Sequence, residues 1–156
     1  MNQLETQKMS ETIRTQIGQL MDEAFFYADV EATSREEILQ QMGSRLEAAG
    51  IVNEDFLPSV LNRESLSSTD FDYSIAIPHP LHPSSKRSMI SIAVLREPIQ
   101  WNHFPVKLVI LLALKEEDME FMQLFLRWLG KQLDSPDKMM CLLEAKNVES
   151  FIQAIR

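Results

Sequence analysis

A single cysteine among 156 residues, Cys141, has no partner for an intrachain disulfide, so no oxidising compartment is implied. It stands in an apolar helical stretch and reads as a small core residue. Long apolar runs are also missing. The longest, residues 108–114, is far short of the roughly 20 residues that cross a bilayer, and residues 1–20 have no apolar centre to serve as a signal peptide. A cytoplasmic chain without membrane insertion is expected. Basic residues are in deficit, 15 against 23 acidic, and the net charge of −8 opposes attraction to nucleic acid or to anionic membranes. Direct binding of DNA or RNA is not expected. Internal repeats and low-complexity tracts are absent.

What is present is a 45% apolar composition, enough for one sizeable core. Residues 6–21 have a weak helical edge of Ile13, Ile17 and Leu20, which suggests a lead-in or linker helix (residues 1–22) before a main domain over residues 23–156. Ala24-Phe25-Phe26-Tyr27-Ala28 suits a first strand. Ser34-Arg35-Glu36-Glu37 fits a capping box, and Ile38, Leu39, Met42, Leu46 and Ala49 follow at helical spacing. A helix over 35–49 is expected, with Gly50 supplying a left-handed stop. A second helix should begin between residues 53 and 58, since Pro58 is tolerated only in a first turn, and end near Glu64.

Residues 65–74 read as loop, and 88–95 and 106–114 as strands. The second is nearly continuous in β-branched and aliphatic residues, as in a strand covered on both faces, so helices should flank the sheet on both sides. Glu97-Pro98-Ile99-Gln100-Trp101 looks like a separate short edge segment. From residue 117, Met122, Phe125, Leu126, Leu129 and Leu133 mark an amphipathic helix, and 136–143 and 148–155 supply two more. Trp101 and Trp128 read as packing residues.

The chemistry concentrates in Ser74-Ile75-Ala76-Ile77-Pro78-His79-Pro80-Leu81. Pro78 fixes its own φ, and Pro80 pushes His79 toward extended backbone, so the ring has a held direction. Sixteen residues upstream stands Arg63. A guanidinium offers a permanent bidentate charge for phosphate oxygens, and neutral imidazole is a nitrogen nucleophile. Together they suggest a phosphorylatable histidine. The plainer alternatives are a turn histidine and a helix-end arginine. A metal site on His79, His82 and His103 is disfavoured by the intervening prolines and the lack of cysteine or carboxylate ligands at suitable spacing. Neither metal nor cofactor is expected. His82 reads as a site-rim residue and His103 as an exposed turn residue. Ser84 and Ser85 are either phosphate-holding hydroxyls or plain loop. Glu64 suits helix-end solvation or an orienting role toward Arg63, and Thr69 a loop cap.

Arg63-Glu64, Thr69 and Ile75-Ala76-Ile77-Pro78-His79 together resemble the signature of the fructose/mannitol-type enzyme IIA domain of the bacterial phosphotransferase system. The resemblance runs from about Phe25 to the C-terminus and implies an α/β three-layer sandwich, a central mixed β-sheet with helices on both faces. It implies that His79 accepts a phosphoryl group from HPr or a IIB-type phosphohistidine donor, with Arg63 beside it and Thr69 as a phosphate or imidazole partner. Transport-type members usually have glycines where this chain has Asp70, Asp72, Ser74 and Pro80, and a second histidine about where Phe121 stands. His79-Pro80-Leu81 and the 97–101 and 106–114 segments look more like the C-terminal IIA-like domain of antiterminators and activators that contain phosphotransferase regulation domains. The expected function is therefore a phosphoacceptor domain controlling a sugar-responsive regulator, a carrier or acceptor rather than a turnover enzyme. A working IIA phosphocarrier and an interaction domain without phosphotransfer are the alternatives.

Overall fold

The structure is a computed structural model and describes residues 2–71 and 74–155, without the side chains of residues 5, 6, 9 and 10; Asp72 therefore lies outside the described residues. A mixed sheet forms the middle layer. Its strands are β1 (Phe26–Val30), β2 (Asp70–Phe71), β3 (Ile75–Ala76), β4 (Met89–Gln100) and β5 (Pro105–Ala113), in the order β1-β4-β5-β3-β2. β1 runs parallel to β4 and β3 parallel to β5, while β4/β5 and β2/β3 are antiparallel.

Alternation along the strands divides the core in two. Ile90, Ile92 and Val94 of β4 and Leu108, Ile110 and Leu112 of β5 face α1 (Gln3–Leu20), α4 (Met119–Gln132), α5 (Pro136–Leu143) and α6 (Val148–Ala154). Met89, Ala93 and Leu95, with Val109, Leu111 and Ala113, face α2 (Arg35–Ala48) and α3 (Phe56–Leu66). Both faces of the sheet are covered, which explains the unbroken apolar run in β5.

Helix ends follow local chemistry. The Ser34 hydroxyl accepts from Glu37 N at 3.1 Å, but the Glu37 carboxyl reaches to Thr33, accepting from its hydroxyl at 2.6 Å. At the other end of α2, Gly50 adopts φ 77° and closes a paired C-terminal cap: Gly50 N donates to Glu47 O and Ile51 N to Leu46 O. Pro58 is the third residue of α3, inside the first turn. Ser135 caps α5 ahead of Pro136, and Asn147 with Ser150 forms a capping box on α6.

Several expectations change. The 24–28 segment is a short helical turn, Glu23–Phe25, followed by β1. The 65–74 segment contains β2. The separate edge segment at 97–101 is the far end of β4, which passes Pro98 by shifting its register against β5 between Val94 and Ile99; a bulge is where a strand tolerates proline. Cys141 is exposed, because α5 turns Met139 and Leu142 inward instead. The helix expected ahead of the first strand is present as α1, and the Ile13 and Ile17 of its apolar edge are 0% exposed, in the core beneath α4 and α6. Trp101 and Trp128 are buried, as packing residues.

Candidate functional site

The alternation that splits the core also aims His79. Ile75 and Ile77 belong to the α4 side of the sheet and Ala76 to the α3 side. His79 continues the odd-numbered parity just past β3 and lines a pocket with Leu112, Leu114, Met119 and Met122, all packed on the α4 side. Three bonds hold the backbone here. Ile77 N donates to Thr69 O at 3.2 Å, Leu112 N to Pro78 O at 3.0 Å, and Leu81 N to the Ser59 hydroxyl at 2.9 Å. The last ties the segment to α3, from the opposite helix layer.

Arg63 enters from that layer. It sits in the last turn of α3, half-buried, and its Nη1 donates to Ser67 O at 2.5 Å. Arg63 and His79 line one pocket of about 160 Å³, completed by Pro80, Leu81 and Pro83. It opens beyond the carboxyl ends of the parallel strands β3 and β5, the usual place for a site in an open α/β sheet. Among the described residues its lining holds one guanidinium, one imidazole and no carboxylate. An anionic group entering it meets positive charge and an apolar wall that strengthens the attraction.

The half-buried His79 ring is oriented. Nδ1 lies 3.0 Å from Ile77 O. A carbonyl oxygen has no proton to give, so Nδ1 carries the hydrogen and, in the neutral ring, Nε2 keeps its lone pair.

The other candidates stand elsewhere. His82 and Ser84 are exposed and outside the pocket lining, and the Ser85 hydroxyl is buried without a hydrogen-bond partner. Glu64 is 3% exposed and not solvated; it accepts from Thr69 N at 2.9 Å, from the Thr69 hydroxyl and from Trp101 Nε1 at 3.3 Å. Thr69 thus faces Glu64 rather than the imidazole. His103 is exposed in the turn between β4 and β5, and its backbone N donates to Asp70. Among the described residues no group of three or more His, Cys, Asp or Glu side chains is placed to hold a metal ion. No helix among them is long and apolar enough to cross a membrane.

Phe121 stacks on Phe125 and lines a neighbouring pocket with Gln16; Met119 and Met122 are the α4 residues that line the His79 pocket. Sequence reasoning passed over both methionines in this role, and Ser59 entirely. Helical spacing marks Met122 as core, while nothing local marks a serine that will cap a distant backbone.

The chain is similar to known proteins in sequence and in fold. Over 127 residues the chain is 33% identical to the probable licABCH operon regulator of Bacillus subtilis (strain 168), which covers 81% of this chain but only 20% of that protein. It is 25% identical over 126 residues to the mannitol-specific phosphotransferase enzyme IIA component of Halalkalibacterium halodurans, covering 78% of this chain and 86% of the relative. The nitrogen regulatory protein IIA-Ntr of Neisseria meningitidis superposes with a TM-score of 0.75 at 22% identity, over 90% of this chain and 99% of that one. Residues 19–156 match the family described as phosphoenolpyruvate-dependent sugar phosphotransferase system, EIIA 2, and the chain belongs to that family.

Proposed function

We propose that this chain is a regulatory phosphoacceptor domain: His79 takes a phosphoryl group from a phosphohistidine donor, HPr or a IIB-type domain, and its charge state is read by other domains of a sugar-responsive transcriptional regulator in the cytoplasm. The observation that carries the reading is an imidazole whose Nδ1 is occupied by Ile77 O, in a pocket it shares with Arg63. The Nε2 lone pair attacks phosphorus in line, and the phosphorus–nitrogen bond of the donor breaks with its electron pair returning to the donor ring. The Nδ1 proton stays on His79, where the Ile77 carbonyl stabilises the positive ring. Arg63 offsets charge on the transferring oxygens, so positioning and electrostatics carry the step. The modification adds about −1.5 to −2 charges, enough to make or break a domain contact.

The regulatory half of the reading is supported by the operon regulator, which is about five times as long as the stretch it shares with this chain. It is also supported by the methionine wall that α4 presents to His79. The second reading, a working IIA carrier, is favoured by the mannitol-specific relative, which this chain spans almost whole. One experiment separates them. The chain is mixed with phosphoenolpyruvate, enzyme I and HPr, and the acid-labile mass gain is followed with and without a IIB acceptor. Gain that His79→Ala abolishes supports phosphotransfer; onward loss to IIB selects the carrier. No gain with any donor leaves an interaction domain.

A further inference from the structure

Glu64 follows Arg63 in the last turn of α3, about 100° further round the helix axis. At 3% exposure it has left water entirely, and a buried carboxyl group needs full compensation. Three donors supply it. Oε2 accepts from Thr69 N at 2.9 Å and from Trp101 Nε1 at 3.3 Å, and Oε1 accepts from the Thr69 hydroxyl. Thr69 passes the constraint on, because its carbonyl accepts from Ile77 N at 3.2 Å. The Ile77 carbonyl then accepts Nδ1–H of His79 at 3.0 Å. An unbroken run of hydrogen bonds leads from the helix that carries Arg63 to the ring that shares its pocket.

The geometry points to Glu64 as a positioning residue for His79: by pinning Thr69 it fixes the Ile77 carbonyl, and so fixes which ring nitrogen is protonated and how the ring stands relative to Arg63. This rests on His79 as phosphoacceptor, yet the state of the unmodified ring tests it separately. Glu64→Gln keeps the knot. Its amide oxygen replaces Oε2 for both N–H donors, and its NH₂ donates to the Thr69 hydroxyl, which turns from donor to acceptor. Glu64→Leu fills similar space but strands the Thr69 and Trp101 N–H groups.

The test uses the full chain labelled with ¹⁵N-histidine, reading the His79 imidazole nitrogens at a pH where the ring is neutral, together with phosphoryl transfer from phosphorylated HPr. Wild type and Glu64→Gln should show the Nδ1–H form and equal rates. Glu64→Leu should show mixed tautomers and a maximal rate about ten- to a hundredfold lower, at an unchanged half-saturating HPr concentration. If Glu64→Leu does not fold, Thr69→Val removes the hydroxyl bond alone and should move the ring signals the same way by less. A folded Glu64→Leu with wild-type ring signals overturns the inference, as does a Glu64→Gln that behaves like Glu64→Leu. Failure of wild type to accept phosphate from any donor would sink the proposed function, while the ring signals of the variants still decide the role of Glu64.

Discussion

His79 donates an Nδ1–H hydrogen bond to the carbonyl oxygen of Ile77, two residues back along its own chain, at 3.0 Å. The acceptor is backbone, so no side-chain substitution at Ile77 removes it. Phosphate should therefore be found on Nε2 alone. Alkaline hydrolysis of the phosphorylated chain followed by separation of the two phosphohistidine isomers checks this, and the Nδ1 isomer as major product would contradict the ring orientation.

Among the described residues Arg63 is the one cationic side chain lining the pocket of His79. Arg63→Ala should lower the phosphoryl transfer rate about a hundredfold, the scale on which a single well-placed donor to a transition-state oxygen acts. Arg63→Lys keeps the charge but not the planar fork, and should fall between. Single-turnover transfer from phosphorylated HPr, with unfolding curves confirming an unchanged fold, measures both.

Asp70 ties the edge of the sheet to the β4–β5 turn. Burial alone would push its carboxyl up, but hydrogen bonds from the Ser68 hydroxyl, Phe104 N and His103 N outweigh that and hold it below the usual carboxylate value. A depressed carboxylate contributes stability that is complete above its unfolded pKa, about 3.9, and is lost as pH falls through the lower folded value. Asp70→Asn should remove this contribution, so the stability gap between wild type and variant should narrow on acidification below about pH 4. Urea unfolding from pH 3 to 6 on the order of half a unit apart reads it; a constant gap would show that the Asp70 charge is not the source.

Ile17 is wholly buried beneath α4 and α6. Ile17→Ala should cost about 2–4 kcal/mol of stability, since the cavity adds to the lost transfer energy. Chemical denaturation checks it. A loss near zero would mean that the first helix is attached to the domain without supporting it.

Much of this was legible in the chain because local chemistry and tertiary packing agree. The aliphatic run in β5, the Gly50 stop, Pro136 behind Ser135 and the Arg63-to-His79 spacing each say the same thing at both levels. Illegible features depend on partners far away in sequence. Pro98 argued for a break, yet a register shift against β5 carries β4 past it. Glu64 read as solvated because a terminal glutamate usually is; Thr69 and the return of Trp101, 37 residues on, bond it in the buried interior. Cys141 lies in a stretch apolar on several sides, and the helix phase that exposes it is set by which residues the sheet accepts.

The two-sided sheet imposes one more condition on the Ile75–His79 stretch. Because Ile75, Ala76 and Ile77 point alternately to opposite layers, adding or deleting one amino acid there would turn the imidazole off the α4 side and put Pro78 or Pro80 in its position. The apolar side chains before His79 can be exchanged for others of similar size, but the length of the stretch is locked, so a single-codon insertion would silence the histidine while leaving every residue of the motif in the sequence.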